Sequence, residues 1–307
     1  MILLGNCLDT LPTLPAASVQ TCITSPPYFG LRDYGVDGQL GMEPTPEQYV
    51  AAMVKVFREV RRVLRDDGTL WLNIGDSYAS GGRKTRDSDD KLEQRGMDTR
   101  PADPAGIKPK DLIGIPWMLA FALRADGWFL RQDIIWHKPN PMPESVTDRC
   151  TKSHEYVFLL SKSERYYFNA DAISEASARP EGPGNLTHRH ERPGVYHGGA
   201  AQVNPSKIGP RETRNKRSVW TVTTKPFTEA HFATFPPDLI RPMIRAGSRT
   251  GDIVLDPFNG AGTTGLVAMQ EGRKYVGCEL NPAYVVMSER RIGASLPLFN
   301  ELTELAR

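Results

Sequence analysis

Two short stretches carry groups that can do chemistry. TSPPYFG, Thr24 to Gly30, sets two prolines between a hydroxyl and an aromatic ring, directly after the apolar run VQTCI. Proline has no N–H and a fixed φ, so Ser25, Pro26 and Pro27 form a rigid turn rich in carbonyl acceptors and poor in donors, and Tyr28 adds an aromatic face. Such a turn is also an ordinary way to end a strand. The second stretch, DIVLDPFNGAGTTG, is an apolar strand running into a glycine turn that opens a helix. Gly260 and Gly262 let a ligand approach the backbone closely.

The next apolar run, KYVGCEL, ends in Glu279, 23 positions after Asp256. An acid there can accept hydrogen bonds from both hydroxyls of a ribose. The turn lacks both the GKT or GKS lysine of a phosphate-binding loop and the GxGxxG that holds a pyrophosphate. A nucleoside cofactor without phosphates is therefore favoured. S-adenosyl-L-methionine meets that description, with its zwitterionic end held by the turn amides, Asp256 and the Thr263 and Thr264 hydroxyls.

Positioning these groups requires a sheet covered by helices. Strand-length apolar runs are predicted at Ile2 to Leu4, Val19 to Thr24, Gly68 to Ile74, Phe129 to Trp136, Tyr156 to Leu160, Ile253 to Leu255 and Lys274 to Cys278. They alternate with segments of helical period, the pattern of a doubly wound, mostly parallel α/β fold. In TPEQYVAAMVKVFREVRRVL the apolar residues Tyr49, Met53, Val56, Val60 and Val63 share one face, behind a Thr45 cap and Pro46. DLIGIPWMLAFALRADGW and the stretch after the 260s glycines supply further helices, ending at Gly127 and near Gly272. The 307 residues are read as a single catalytic domain with two loop-rich insertions, 79–110 and 179–217. The second holds eight Lys or Arg against three acids, an excess that a phosphate backbone attracts.

With 39% hydrophobic and 24% charged residues the chain is neither wholly disordered nor collagen-like, and its formal charge of +2 names no partner. The four cysteines are widely spaced without a CxxC, which argues for reduced structural thiols rather than a zinc site. His188, His190 and His197 lack accompanying metal ligands, so no metal is expected. No apolar stretch reaches the roughly 20 residues of a membrane span, and the N-terminus has no leader pattern. A cytoplasmic location is expected.

Together, SPPY early and DPFNGAGTT late resemble the exocyclic-amino DNA methyltransferases. With the catalytic motif first, the chain is similar to the permuted beta group of that family, over nearly its full length. GTLWLNIGDSY, HEYVFLLSKSERYYF and HFATFPPDLIRPMIRAG resemble further blocks of the family. The resemblance implies a seven-stranded sheet of the S-adenosylmethionine-dependent methyltransferase type. It also implies methyl transfer to N4 of cytosine or N6 of adenine in double-stranded DNA. It assigns Ser25, Pro26, Pro27 and Tyr28 to catalysis, and Asp256, Phe258, Gly260, Gly262, Thr263, Thr264 and Glu279 to the cofactor. Phe235, Pro236, Asn6 and Cys7 are further candidates for the cofactor pocket, Asn6 standing where the family more often has aspartate.

The chemistry fits the residue types. An exocyclic amine is a poor nucleophile because its lone pair is delocalised into the ring. Acceptors on both amine hydrogens favour a pyramidal nitrogen, and prolines keep competing donors away. The base must leave the duplex, and a Tyr28 wall recovers about 1–3 kcal/mol of stacking. Direct displacement at a sulfonium needs alignment and electrostatic placement rather than a covalent enzyme intermediate. Methylation at cytosine carbon 5 is disfavoured, because Asn6, Thr21, Arg149 and Gly277, not proline, precede the cysteines.

Family members directed at adenine mostly carry Asp where this chain has Ser25, so cytosine N4 is favoured and adenine N6 is the alternative. A protein or RNA amine methyltransferase is a more distant one. The insertion 179–217 is the candidate target-recognition region, and Trp136, His137, Lys138, Arg32 and Asp33 are candidates to border the DNA or close over the base. A homodimer and a companion restriction endonuclease are further expectations.

Overall fold

The carboxyl ends of neighbouring parallel strands collect the residues singled out above. In the computed structural model, which describes residues 1–79, 106–177, 212–224 and 234–295, β1 (Ile2–Leu4), β2 (Val19–Thr24), β3 (Leu64–Ile74), β4 (Phe129–His137), β5 (His154–Ser161), β8 (Val219–Thr221), β9 (Ile253–Asp256) and β10 (Lys274–Glu279) build one sheet. Its strand order is β1-β10-β9-β2-β3-β5-β4-β8. The first five in that order run parallel, β5 is antiparallel to both neighbours, and β8 is parallel to β4.

All seven expected strands form, and β8 makes an eighth. Its three residues, VWT, are too short to show a period, and only pairing with Ile135 to His137 on β4 makes them a strand. β3 starts at Leu64 rather than Gly68, directly where the preceding helix ends.

That helix, α2 (Pro46–Val63), forms as the periodicity requires. Thr45 caps it by accepting from the Gln48 amide (3.2 Å), and Tyr49, Met53, Val56, Phe57, Val60 and Val63 are fully buried. α3 (Ile115–Ala125) starts later than DLIGIP suggests, because Gly114 adopts a left-handed φ of 87° and the Asp76 carboxylate accepts from the Gly114 and Ile115 amides. The other helices are α1 (Cys7–Thr10), α4 (Pro237–Gly247), α5 (Thr263–Gln270) and α6 (Pro282–Ala294). α2 packs on α3, and α4 on α5. No helix among the described residues is long and apolar enough to cross a membrane.

β2 leads through α2 to β3 on one side, whereas β9 leads through α5 to β10 on the other. The order of the sheet therefore reverses between β2 and β9, and open α/β sheets bind ligands in the crevice at such a point. Ser25 and Pro257 begin the two loops that flank it. All six residues of β2 are buried, as a strand covered on both faces requires.

The chain divides into two compact units, Met1–Asn169 with Ser218–Arg307, and Ala170–Arg217. In the second unit, β6 (Glu175–Ala176) pairs antiparallel with β7 (Thr213–Arg214), and Glu175 binds Arg214 and Arg217. Most of the expected target-recognition insertion, including His188, His190 and His197, lies outside the described residues, as does most of the insertion 79–110.

Candidate active site

The two motifs meet at a buried carboxylate. Thr24 Oγ donates to Asp256 Oδ1 (2.6 Å), Thr264 Oγ donates to Asp256 Oδ2 (2.8 Å), and the Phe258 amide adds a third donor at 3.0 Å. Asp256 is 1% exposed, and burial pushes its carboxyl up to about 6 despite the three donors, which act the other way. It ties β2, β9 and the first turn of α5 together. Thr263 is engaged internally as well: Arg291 Nη1 donates to its Oγ and to the Ala261 carbonyl, both at 2.9 Å.

Glu279 closes the glycine turn. One of its oxygens accepts from the Gly260 amide (2.7 Å), the other from the Asn281 amide (2.9 Å), and burial raises its pKa above the ordinary value. Each carboxylate oxygen has a second lone pair, so a vicinal diol can still be bound by both. Phe258 and Gly260 stand half-buried beside it, while Gly262, with φ 71°, packs so closely under α6 that a Cβ would stand 2.6 Å from Ser288 Cβ. Asn6 caps α1 through its side-chain Oδ1, which accepts from the Leu8 amide (2.9 Å), and its Nδ2 donates to Gly38 O (3.2 Å), which pins the loop 30–41; Cys7 behind it is buried. Within that loop Asp33 accepts from the Gly35 amide (2.8 Å), and Tyr34 is half-buried, within electrostatic reach of Arg32, Tyr284 and Glu279. The loop therefore lies toward Glu279. Phe235 and the buried Pro236 sit immediately before α4.

A turn with carboxylate acceptors and no lysine suits a ligand carrying hydroxyls and positive charge rather than phosphate. The Glu279 carboxylate is near enough to push the Asp256 carboxyl further up, and this concentration of acidic groups complements a sulfonium. These residues fit S-adenosyl-L-methionine.

At the base side, the turn after β2 is fixed from several directions. Tyr49 Oη donates to the Pro27 carbonyl (2.8 Å), and Gly30 N donates to Gly41 O (2.8 Å). Tyr28 Oη donates to Glu155 Oε2 at 2.6 Å, and Ser25 Oγ donates to Tyr28 Oη at 3.4 Å. Burial, then the adjacent Glu155 carboxylate, pushes the Tyr28 phenol well above its ordinary range, so it stays protonated. The Tyr28 ring rests on the backbone at Gly75, where a Cβ would stand 2.6 Å from its Cε2. Glu155 also receives Asn73 Nδ2 at 3.1 Å and the Lys138 ammonium. Lys138 in turn lies over the Trp136 ring, 4.3 Å from its centroid.

The DNA methylase family model matches residues 19–290. The chain belongs to the DNA methylase family. It is 52% identical to the type II methyltransferase M.XycI of Xanthomonas campestris pv. cyanopsidis, over 94% of this chain and 86% of that one. M.SmaI of Serratia marcescens, also a type II methyltransferase, is 47% identical over 95% and 90%. Among solved structures, the cytosine-N4-specific PvuII DNA methyltransferase superposes with a TM-score of 0.63 at 21% identity, covering 95% of this chain and 85% of that one. A DNA modification methylase of Thermus thermophilus complexed with S-adenosyl-L-methionine gives 0.59 at 23% identity, covering 96% and 94%. This DNA methylase is thus an S-adenosyl-L-methionine-dependent enzyme of the N6/N4 type. The motif resemblance of SPPY and DPFNGAGTT is borne out at the level of the family.

Sequence reading missed Thr24, Tyr49, Asn73, Gly75 and Glu155 as parts of this site. Glu155 and Asn73 lie in the blocks HEYVFLLSK and GTLWLNIGDSY. Their approach to Tyr28 depends on β5 running against β3, which puts the start of β5 at the carboxyl edge.

Proposed function

We propose that this DNA methylase transfers the methyl group of S-adenosyl-L-methionine to the N4 amine of a cytosine turned out of double-stranded DNA. The observation that carries the reading is Ser25, a hydroxyl beside the fixed Tyr28 ring at the crevice between β2 and β9. Ser25 Oγ and the carbonyls of Ser25 and Pro26 are the acceptors for the amine hydrogens, and Tyr28 is the stacking wall. The Pro27 carbonyl is committed to Tyr49. Glu279 holds the ribose, Phe258 and the Gly260 turn flank the nucleoside, and Asp256 acts by holding the turn rather than by touching the ligand.

S-adenosyl-L-methionine supplies an electrophilic methyl group on sulfur when bound. The chain's own residues hold the amine in line with it, exclude donors that would occupy the nitrogen lone pair, and keep the base from restacking. The cytosine-N4 specificity of the PvuII enzyme supports the same choice of base as the serine at the first motif position. A type II partner nuclease recognising the same DNA site accompanies this reading, as does the insertion 179–217 as the reader of that site. DNA from a methylation-free host, treated with the enzyme and digested to nucleosides, should yield N4-methylcytosine by mass spectrometry. N6-methyladenine as the product would overturn the choice of base.

A further inference from the structure

Glu155 has no part in the chemistry assigned above, yet three donors converge on its carboxylate and one of them is the Tyr28 phenol. We infer that Glu155 is a positioning residue for methyl transfer: it sets the direction of the hydroxyl protons of Tyr28 and Ser25 and so presents Ser25 Oγ to the target amine as an acceptor. This rests on the amine methylation proposed above, for either base.

A serine hydroxyl can donate as well as accept. Donation toward the amine would occupy the lone pair that must attack the methyl group, whereas acceptance from an N–H favours the pyramidal nitrogen. Something must therefore turn the Ser25 proton away from the cleft. The Tyr28 proton is committed to an anionic acceptor at 2.6 Å, the length of a charge-assisted bond. Tyr28 Oη then has only lone pairs to offer Ser25, and Ser25 Oγ–H points to it across 3.4 Å. That separation is long, as catalytic hydrogen bonds commonly are before substrate closes a site. The remaining Ser25 lone pairs are left for the amine.

Glu155 is held firmly enough for this task. Its side chain is 16% exposed and paired with Lys138, itself 18% exposed. Asn73 Nδ2 donates both to Glu155 Oε2 and to the Tyr156 carbonyl, each at 3.1 Å. The Gly75 backbone beneath the Tyr28 ring removes the remaining freedom of the phenol.

The test is a double-mutant cycle in single-turnover methylation of DNA from a methylation-free host with radiolabelled S-adenosyl-L-methionine. Glu155→Gln, Tyr28→Phe and the double variant are compared with the parent. Either single change should slow the transfer about tenfold or more, while cofactor affinity by calorimetry and DNA affinity by gel shift stay within twofold. In the Tyr28→Phe background, Glu155→Gln should add less than a further twofold, because its effect travels through the phenol. An equal effect of Glu155→Gln in both backgrounds overturns the proposal, as does a parent-like rate for Glu155→Gln. If Glu155→Gln fails to fold, Tyr28→Phe, which leaves the Asn73 and Lys138 interactions in place, decides alone: a rate within twofold of the parent overturns the proposal. Mass spectrometry of the product identifies the methylated base independently, so an error there is seen separately from an error about Glu155.

Discussion

Thr24 and Asp256, 232 positions apart in sequence, share a 2.6 Å hydrogen bond at the carboxyl ends of adjacent parallel strands. Thr24 immediately precedes the SPPY turn and Asp256 begins the glycine loop, so one buried contact sets the spacing between the amine side and the cofactor side. That contact carries an electrostatic cost. A carboxyl whose folded pKa is raised binds its proton more tightly in the folded state. Its favourable contribution is complete below the unfolded value near 3.8 and is lost as pH rises through about 6. The interval corresponds to about 3 kcal/mol. Asp256→Asn should therefore flatten the pH dependence of stability: the change in unfolding free energy between pH 4 and pH 7 should differ from the parent's by roughly 2–3 kcal/mol. Urea denaturation at the two pH values checks it, and identical pH profiles would sink it.

Much of this site was legible because its two motifs are contiguous in sequence. SPPY and DPFNGAG each follow an apolar strand, and the strand-turn-helix pattern was enough to bring out Gly260 and Glu279, which meet at 2.7 Å, whereas Gly262 packs against Ser288 under α6. What could not be read were partners that tertiary pairing brings in. Glu155 is aimed at Tyr28 only because β5 is antiparallel, and Tyr49 reads as a core residue of α2 until its hydroxyl is seen on the Pro27 carbonyl. The hydroxyls of Thr263 and Thr264 and the Asp256 carboxylate were expected to face the cofactor. Each also has a partner within the protein, because buried polar groups in a tight turn need to be satisfied.

Gly75→Ala should impair catalysis without removing any polar group. The added methyl would stand 2.6 Å from Tyr28 Cε2, a distance that forces the ring to move. Because the ring is also held through Glu155, displacement strains both interactions. The expected result is a drop in kcat of about tenfold or more with cofactor affinity unchanged. A rate equal to the parent's would show that the ring has another acceptable seat.

Glu279→Ala should act on the cofactor. It removes both acceptors for the ribose and releases the Gly260 and Asn281 amides, whose partners are the two carboxylate oxygens. At about 1.5–3 kcal/mol for a hydrogen bond to a charged group, affinity for S-adenosyl-L-methionine should fall roughly tenfold to a hundredfold or more. Calorimetric binding as tight as the parent's would remove the ribose assignment. DNA affinity measured without cofactor should hardly change.

The insertion proposed to read the DNA site can be removed cleanly. β6 and β7 bring Ala176 opposite Thr213, and the Ser177 amide donates to the Glu212 carbonyl at 2.8 Å. The chain thus leaves and returns at one hairpin base, so residues 178–211 can be replaced by a short glycine turn without pulling on the sheet. The replaced segment holds five Lys or Arg (Arg179, Arg189, Arg192, Lys207, Arg211) and two acids (Glu181, Glu191). If it touches DNA, its removal should abolish preference for the cognate site. It should also lower the slope of log affinity against log salt by about 0.9 for each phosphate that the shortened protein no longer neutralises. S-adenosyl-L-methionine should bind as before, because Glu279 and the glycine turn lie in the other compact unit. Retained site preference in the shortened protein, measured by competition gel shift against random DNA, would place recognition elsewhere, with the carboxyl-edge residues Trp136, His137 and Lys138 next to be tested.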